Sequence, residues 1–76
     1  MKANYDQIRQ HLATLTPFVG NSMRGEKWGD TYRVISYSTQ IAEYNTTTGE
    51  KWVTPKRYSV TTSKQQNLVR NAWGVN

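Results

Sequence analysis

Cysteine is absent from this chain of 76 residues. No disulfide can brace the fold, and the lack suits a reducing, cytosolic setting. Histidine occurs once, as His11. Zinc and iron sites need several converging ligands, and no second His, Cys or paired-carboxylate pattern supplies them. A lone His on a helix reads as a solvated surface residue. Acids are few: Asp6, Glu26, Asp30, Glu43 and Glu50, with no two spaced as an acid–base pair. There is no G-x-S-x-G elbow, no P-loop and no G-x-G-x-x-G turn. These absences lead us to expect a non-enzymatic protein without cofactor or metal. No apolar run approaches ~18 residues, so no membrane span is expected. Lys2, Asn4 and Asp6 break up the first residues, which excludes the apolar stretch of a signal peptide and points to the cytoplasm.

What is present is positive charge. Ten Lys and Arg against five Asp and Glu give a formal net charge of +5. A basic small domain favours anionic partners: nucleic acid, an acidic protein or a membrane surface. The charges are scattered, with no polybasic run. The length fits one small domain spanning 1–76. Its core candidates are Ile8, Leu12, Leu15, Phe18, Val34, Ile35, Ile41, Val53, Val60, Leu68 and Val69. So short a chain buries only about 60% of its unfolded surface, and a homodimer would add to a thin margin.

Local patterns give the elements. Asn4 is a good N-cap, and Tyr5, Ile8, Leu12 and Leu15 follow at helical spacing, which predicts a helix over 5–15. Pro17 ends it. Gly20, Asn21, Gly25, Gly29 and Asp30 punctuate the next stretch, where 22–28 reads as a short edge strand or a loop. From Thr31 the residues alternate: Thr31, Arg33, Ile35 and Tyr37 face one way, Tyr32, Val34 and Ser36 the other. A second strand is predicted over 40–45, with a hairpin loop at Thr46–Gly49. Lys51 to Thr54 leads back, Pro55 marks a bend or an edge, and 57–61 continues as strand. Ser63-Lys64-Gln65-Gln66 matches a capping box, with Thr62 the alternative cap, and Gly74 suits the helix end. The expected fold is α+β: an N-terminal helix, a three- or four-stranded antiparallel sheet and a C-terminal helix.

Aromatic and basic residues interleave along this sheet: Lys27-Trp28, Tyr32-Arg33, Lys51-Trp52 and Lys56-Arg57-Tyr58. Sheets that offer aromatic platforms for bases and cations for phosphates bind single-stranded nucleic acid. The candidate nucleic-acid residues are therefore Arg33, Lys51, Trp52, Lys56, Arg57 and Tyr58. Tyr and Trp are also ordinary strand residues that cover a small core, which explains much of the same pattern. Thr61 to Ser63 and Lys64 could hold an anion at a helix start, although every helix needs a cap. Lys64, Asn67, Arg70 and Asn71 line the polar side of the last helix. The alternative function is binding of a host protein, with Phe18, Met23, Trp28 and Trp52 as anchors, since aromatic and Met side chains are enriched in interface cores. A minor structural component is a third reading.

Three phrases carry a resemblance: FVGNSM (18–23), SYSTQIA (36–42) and YSVTTSKQ (58–65). Together they resemble small, uncharacterised proteins of bacteriophages, especially those infecting actinobacteria. The resemblance covers 18–73, and Gln65 stands where that pattern carries a His. It implies a phage origin, a site of action in the infected cell's cytoplasm, and a host protein or nucleic acid as partner.

Overall fold

The structure, a computed structural model, describes residues 3–56 and 59–75. Helix α1 (Tyr5–Thr14) is followed by strands β1 (Phe18–Val19), β2 (Met23–Trp28), β3 (Thr31–Ser36), β4 (Thr39–Asn45) and β5 (Lys51–Val53), then helix α2 (Val60–Trp73). The α+β class is as expected, but the strands number five rather than three or four. The additional pairing comes from the glycine-rich stretch after α1. There β2 is an interior strand, bonded to β1 on one side and β3 on the other, so it is neither a sheet edge nor a loop.

The sheet is an antiparallel meander in the order β1-β2-β3-β4-β5. Short connections allow this. Gly29 takes φ +61° in the two-residue turn between β2 and β3, a conformation that costs glycine nothing. Tyr37 takes φ +57° in the equally short turn between β3 and β4, which is uncommon for a residue with a bulky side chain. Its N–H donates to the Ser22 carbonyl at 2.7 Å. The predicted loop at 46–49 closes through Asn45, whose Oδ1 accepts from the N–H groups of Thr47 and Thr48.

The caps fix the helices. Asn4 and Gln7 form a reciprocal capping box at α1. At α2 the cap is Ser59, four residues before the predicted Ser63. Its hydroxyl accepts from the Thr62 N–H. The predicted strand over 57–61 is therefore replaced at 59–61 by the helix start; Arg57 and Tyr58 lie outside the described residues. Val60 follows the cap and is 77% exposed, so it is not part of the core. Gly74 ends α2 in the left-handed conformation, as predicted.

Both helices cover the same face of the sheet. Ile8 and Leu12 of α1 and Val69 and Trp73 of α2 share one core with Phe18, Met23, Tyr32, Val34, Ile41 and Ala42. A bulge between Val34 and Ile35 lets consecutive residues Ile41 and Ala42 both be buried, as an extra residue in one strand does. Two aromatic groups tie the layers through backbone carbonyls. Tyr32 donates its hydroxyl to the Thr16 carbonyl at 2.8 Å, and Trp73 Nε1 donates to the Leu12 carbonyl at 3.0 Å. Tyr32 and Tyr44 both meet the Trp73 ring edge-on.

Four polar side chains form a second cluster at one end of the sheet. Ser36 donates to Gln65 Oε1, Gln65 Nε2 donates to the Ser22 hydroxyl, and Ser36 and Thr62 hydroxyls lie 3.2 Å apart. These residues come from the three phrases singled out in the sequence, here brought together across 43 positions. Thr62 is thus buried and bonded inward, and so is not available to hold an anion.

Candidate recognition surface

Neither described helix covers the other sheet face. Cross-strand register puts Val19 beside Arg24, Arg24 beside Ile35, Glu26 beside Arg33, and Trp28 beside Thr31. The same rows continue through Arg33 beside Glu43 and Glu43 beside Trp52. Directly opposed residues share a face of the sheet. One surface therefore carries Val19, Arg24, Glu26, Trp28, Arg33, Ile35, Glu43 and Trp52.

Large apolar groups on and beside this surface are exposed: Val19 at 61%, Trp28 at 63%, Tyr37 at 60% and Trp52 at 47%. Tyr37, in its left-handed turn, shares a small hollow with Val19 and Ile35. Single exposed apolar residues are ordinary, but several on one uncovered face are a recognition feature.

The charges between them are balanced. Arg24 Nε meets Glu26 Oε1 at 2.7 Å, and Trp28 Nε1 donates to the other oxygen of Glu26 at 3.0 Å. The hydrogen bond from Arg24 first, and that from Trp28 second, hold the Glu26 carboxyl below its ordinary value of 4.5. Arg33 Nε lies 3.5 Å from Glu43 Oε1, which also accepts from Gln40 Nε2. Among the described residues, two arginines and two glutamates thus alternate on the face, whereas the chain as a whole has a net charge of +5.

Of the described residues expected to bind nucleic acid, only Arg33 and Trp52 meet on this surface. Lys51 is one residue along β5 and points to the opposite side. There its Nζ donates to the Trp73 carbonyl at 3.2 Å and lies 5.4 Å from the centre of the Tyr44 ring. Strand alternation forces this separation from Trp52. Lys56 lies beyond the end of β5, and Arg57 and Tyr58 are outside the described residues. Of the expected protein-contact anchors, Trp28 and Trp52 share the open face. Phe18 and Met23 are buried under the helices and cannot serve as anchors. Val19 and Tyr37 were not singled out as contact residues. Alternation had placed Tyr37 with Arg33 and Ile35, and that was the available signal.

Other cations lie on the helical side. Arg70 donates to the Thr54 carbonyl at 3.0 Å, which ties α2 to the end of β5. Lys64 is exposed near the start of the same helix.

A cleft of about 720 Å³ runs between α1 and the β1 side and includes Gln7, Gln10, His11, Phe18 and Arg24. His11 is only half-exposed there. Its ring stacks on Phe18, and its Nδ1 lies 2.7 Å from the Thr16 hydroxyl, so it is a packed residue rather than a solvated one. Among the described residues, no three of His, Cys, Asp and Glu converge to hold a metal ion. No described helix is long and apolar enough to cross a membrane.

A family model described as a family of unknown function (DUF8033) matches residues 7–73. The chain belongs to that family. The match takes in most of α1, all five strands and α2, so the open sheet face lies within the shared domain. No curated protein and no solved structure matches the chain.

Proposed function

We propose that this DUF8033 chain is a non-catalytic protein-binding module that engages its partner through the open sheet face. The observation that carries this reading is the make-up of that face: Trp28, Trp52 and Tyr37 exposed around a charge-balanced centre. Trp, Tyr and Arg are the residues most enriched where protein interfaces concentrate their energy. A phosphate backbone, by contrast, is attracted by an excess of cations, and Glu26 and Glu43 cancel that excess here. The resemblance to small phage proteins supports a setting in the cytoplasm of an infected bacterium.

The test is photo-crosslinking in a bacterial host, with benzoylphenylalanine in place of Trp28 or Trp52. The control carries the same group in place of the exposed Val60 on α2. Adducts with protein from positions 28 and 52, absent from position 60, support the reading. Adducts with nucleic acid alone, or none above the control, overturn it.

Nucleic-acid binding is a second reading, favoured by the cations on the helical side. Lys51, Lys64 and Arg70 all belong to β5 or α2. It requires that affinity for oligonucleotides fall linearly on a log–log plot against salt.

A further inference from the structure

We infer that the partner on the open face is a second copy of this chain, packed sheet against sheet about a twofold axis. The inference rests on reading that face as protein-binding and names what it binds.

Charge is the first argument. The chain carries ten basic and five acidic residues, yet Arg24, Glu26, Arg33 and Glu43 balance on this face. A strongly acidic partner would meet two glutamates, and a basic one two arginines. A face with alternating signs finds its complement in itself. Among the described cations, Lys51 points to the helical side and Lys64 and Arg70 belong to α2, so two copies can meet without bringing these like charges together.

Register is the second argument. Glu26, Arg33, Glu43 and Trp52 form one row across β2, β3, β4 and β5. A twofold axis in the interface plane, running between β3 and β4, exchanges those two strands. Arg33 of one copy then lies over Glu43 of the other, and Glu43 over Arg33. The same operation lays β5, with Trp52, over β2, with Glu26 and Trp28. Such reciprocal contacts define an isologous interface.

Size is the third. The molecule measures 31 × 29 × 21 Å. A two-layer molecule is thinnest across its layers, so the sheet side lies within a rectangle of about 900 Å², which leaves room for an interface approaching the ~800 Å² per partner of a stable complex when most of the face is used.

Sedimentation equilibrium on the purified chain, from roughly 1 μM to 1 mM, tests the inference. The expected result is a concentration-dependent mass reaching twice that of the chain. Arg33→Glu and Glu43→Arg should each weaken dimerisation at least about tenfold, because symmetry places the like-charge contact twice in each dimer. Mixing the two single variants should restore association. One copy then carries an acid at both positions and the other a base at both, so each contact across the interface pairs opposite charges. That rescue also shows both variants to be folded. A strict monomer overturns the inference, and so does a dimer indifferent to both reversals. A monomer that still forms protein adducts from positions 28 and 52 removes self-association while leaving the protein-binding reading standing.

Discussion

The two faces of this one sheet are built from the same residue classes and do opposite work. Under the helices lie Tyr32, Val34, Met23 and Ala42, with Trp73 of α2 packed on them. On the open face lie Arg33, Trp28 and Trp52, with Val19 and Tyr37 beside them. What separates a covered aromatic from an open one is the partner of its polar atom. Tyr32 and Trp73 donate to backbone carbonyls of the segment around α1, which closes the core. Trp28 donates to a surface carboxylate in its own strand, which leaves the ring to solvent. An aromatic residue in a small sheet therefore does not declare its role by type. Its hydrogen-bond partner assigns it to the fold or to the surface.

The sharpest way to break the covered face is Gly25→Ala. A Cβ at this position would lie 2.6 Å from Phe18 Cε1 and closer still to the Tyr32 hydroxyl. Neither ring can retreat, since Phe18 and Tyr32 are both buried. Over-packing of a tight core costs about 1–3 kcal/mol and more where nothing can relax. We expect a loss of about 3 kcal/mol, a large share of the stability of so small a domain, read from the urea midpoint. By contrast Gly29→Ala meets no atom, so its cost is only that of φ +61°. Equal losses at the two sites would show that the Tyr32–Gly25 contact is not tight.

A smaller effect on the same face is expected from Tyr32→Phe. The ring and its packing stay, while the hydrogen bond to Thr16 is lost, for about 1 kcal/mol near neutral pH. The pH dependence is more specific. Burial pushes the Tyr32 phenol well above its ordinary value of 10.0, so the folded state holds the proton after the unfolded state has lost it. Its contribution is complete below pH 10 and declines as pH rises above it, by up to about 1.4 kcal/mol per pH unit. The phenylalanine variant lacks this decline. The gap between the two proteins should therefore narrow above pH 10 in parallel urea titrations. A gap that is constant or widens would mean that the phenol is not held protonated by burial.

Much of this contrast was legible in the residues. The alternation from Thr31 assigned Tyr32 and Val34 to one face and Arg33 and Ile35 to the other, because period-two patterning survives whatever is packed on the sheet. The hairpin loop at 46–49 and the cap at Asn4 also followed from local chemistry. Other features depend on contacts distant in sequence. Gly25 looked like a turn residue, and only the Tyr32 ring lying across it explains a glycine inside a strand. Ser63 matched a capping box, yet Ser59 holds the cap, since Thr62 and Gln65 are drawn inward to Ser36 and Ser22. Lys51 and Trp52 read as one aromatic–basic unit, although adjacent strand residues must point apart. The charge balance of the open face arises from pairing Arg33 with Glu43 across strands, which no local pattern reveals.

The smallest expected change in stability belongs to the open face, and it sharpens the comparison most. Trp28→Ala and Trp52→Ala remove the two largest rings on that surface. If no helix covers them in the folded chain, each loss should stay within about 0.5 kcal/mol for the isolated protomer, as for most surface positions. Trp28→Ala carries a second readout. It takes away one of the two hydrogen bonds holding the Glu26 carboxyl low, while the larger one from Arg24 remains. The Glu26 titration, followed by NMR of its side-chain carboxyl carbon, should move part of the way up towards its ordinary 4.5 and no further. A stability loss as large as that of Gly25→Ala, at concentrations where the chain is monomeric, would make Trp28 a core residue, and the distinction between the two faces would fail.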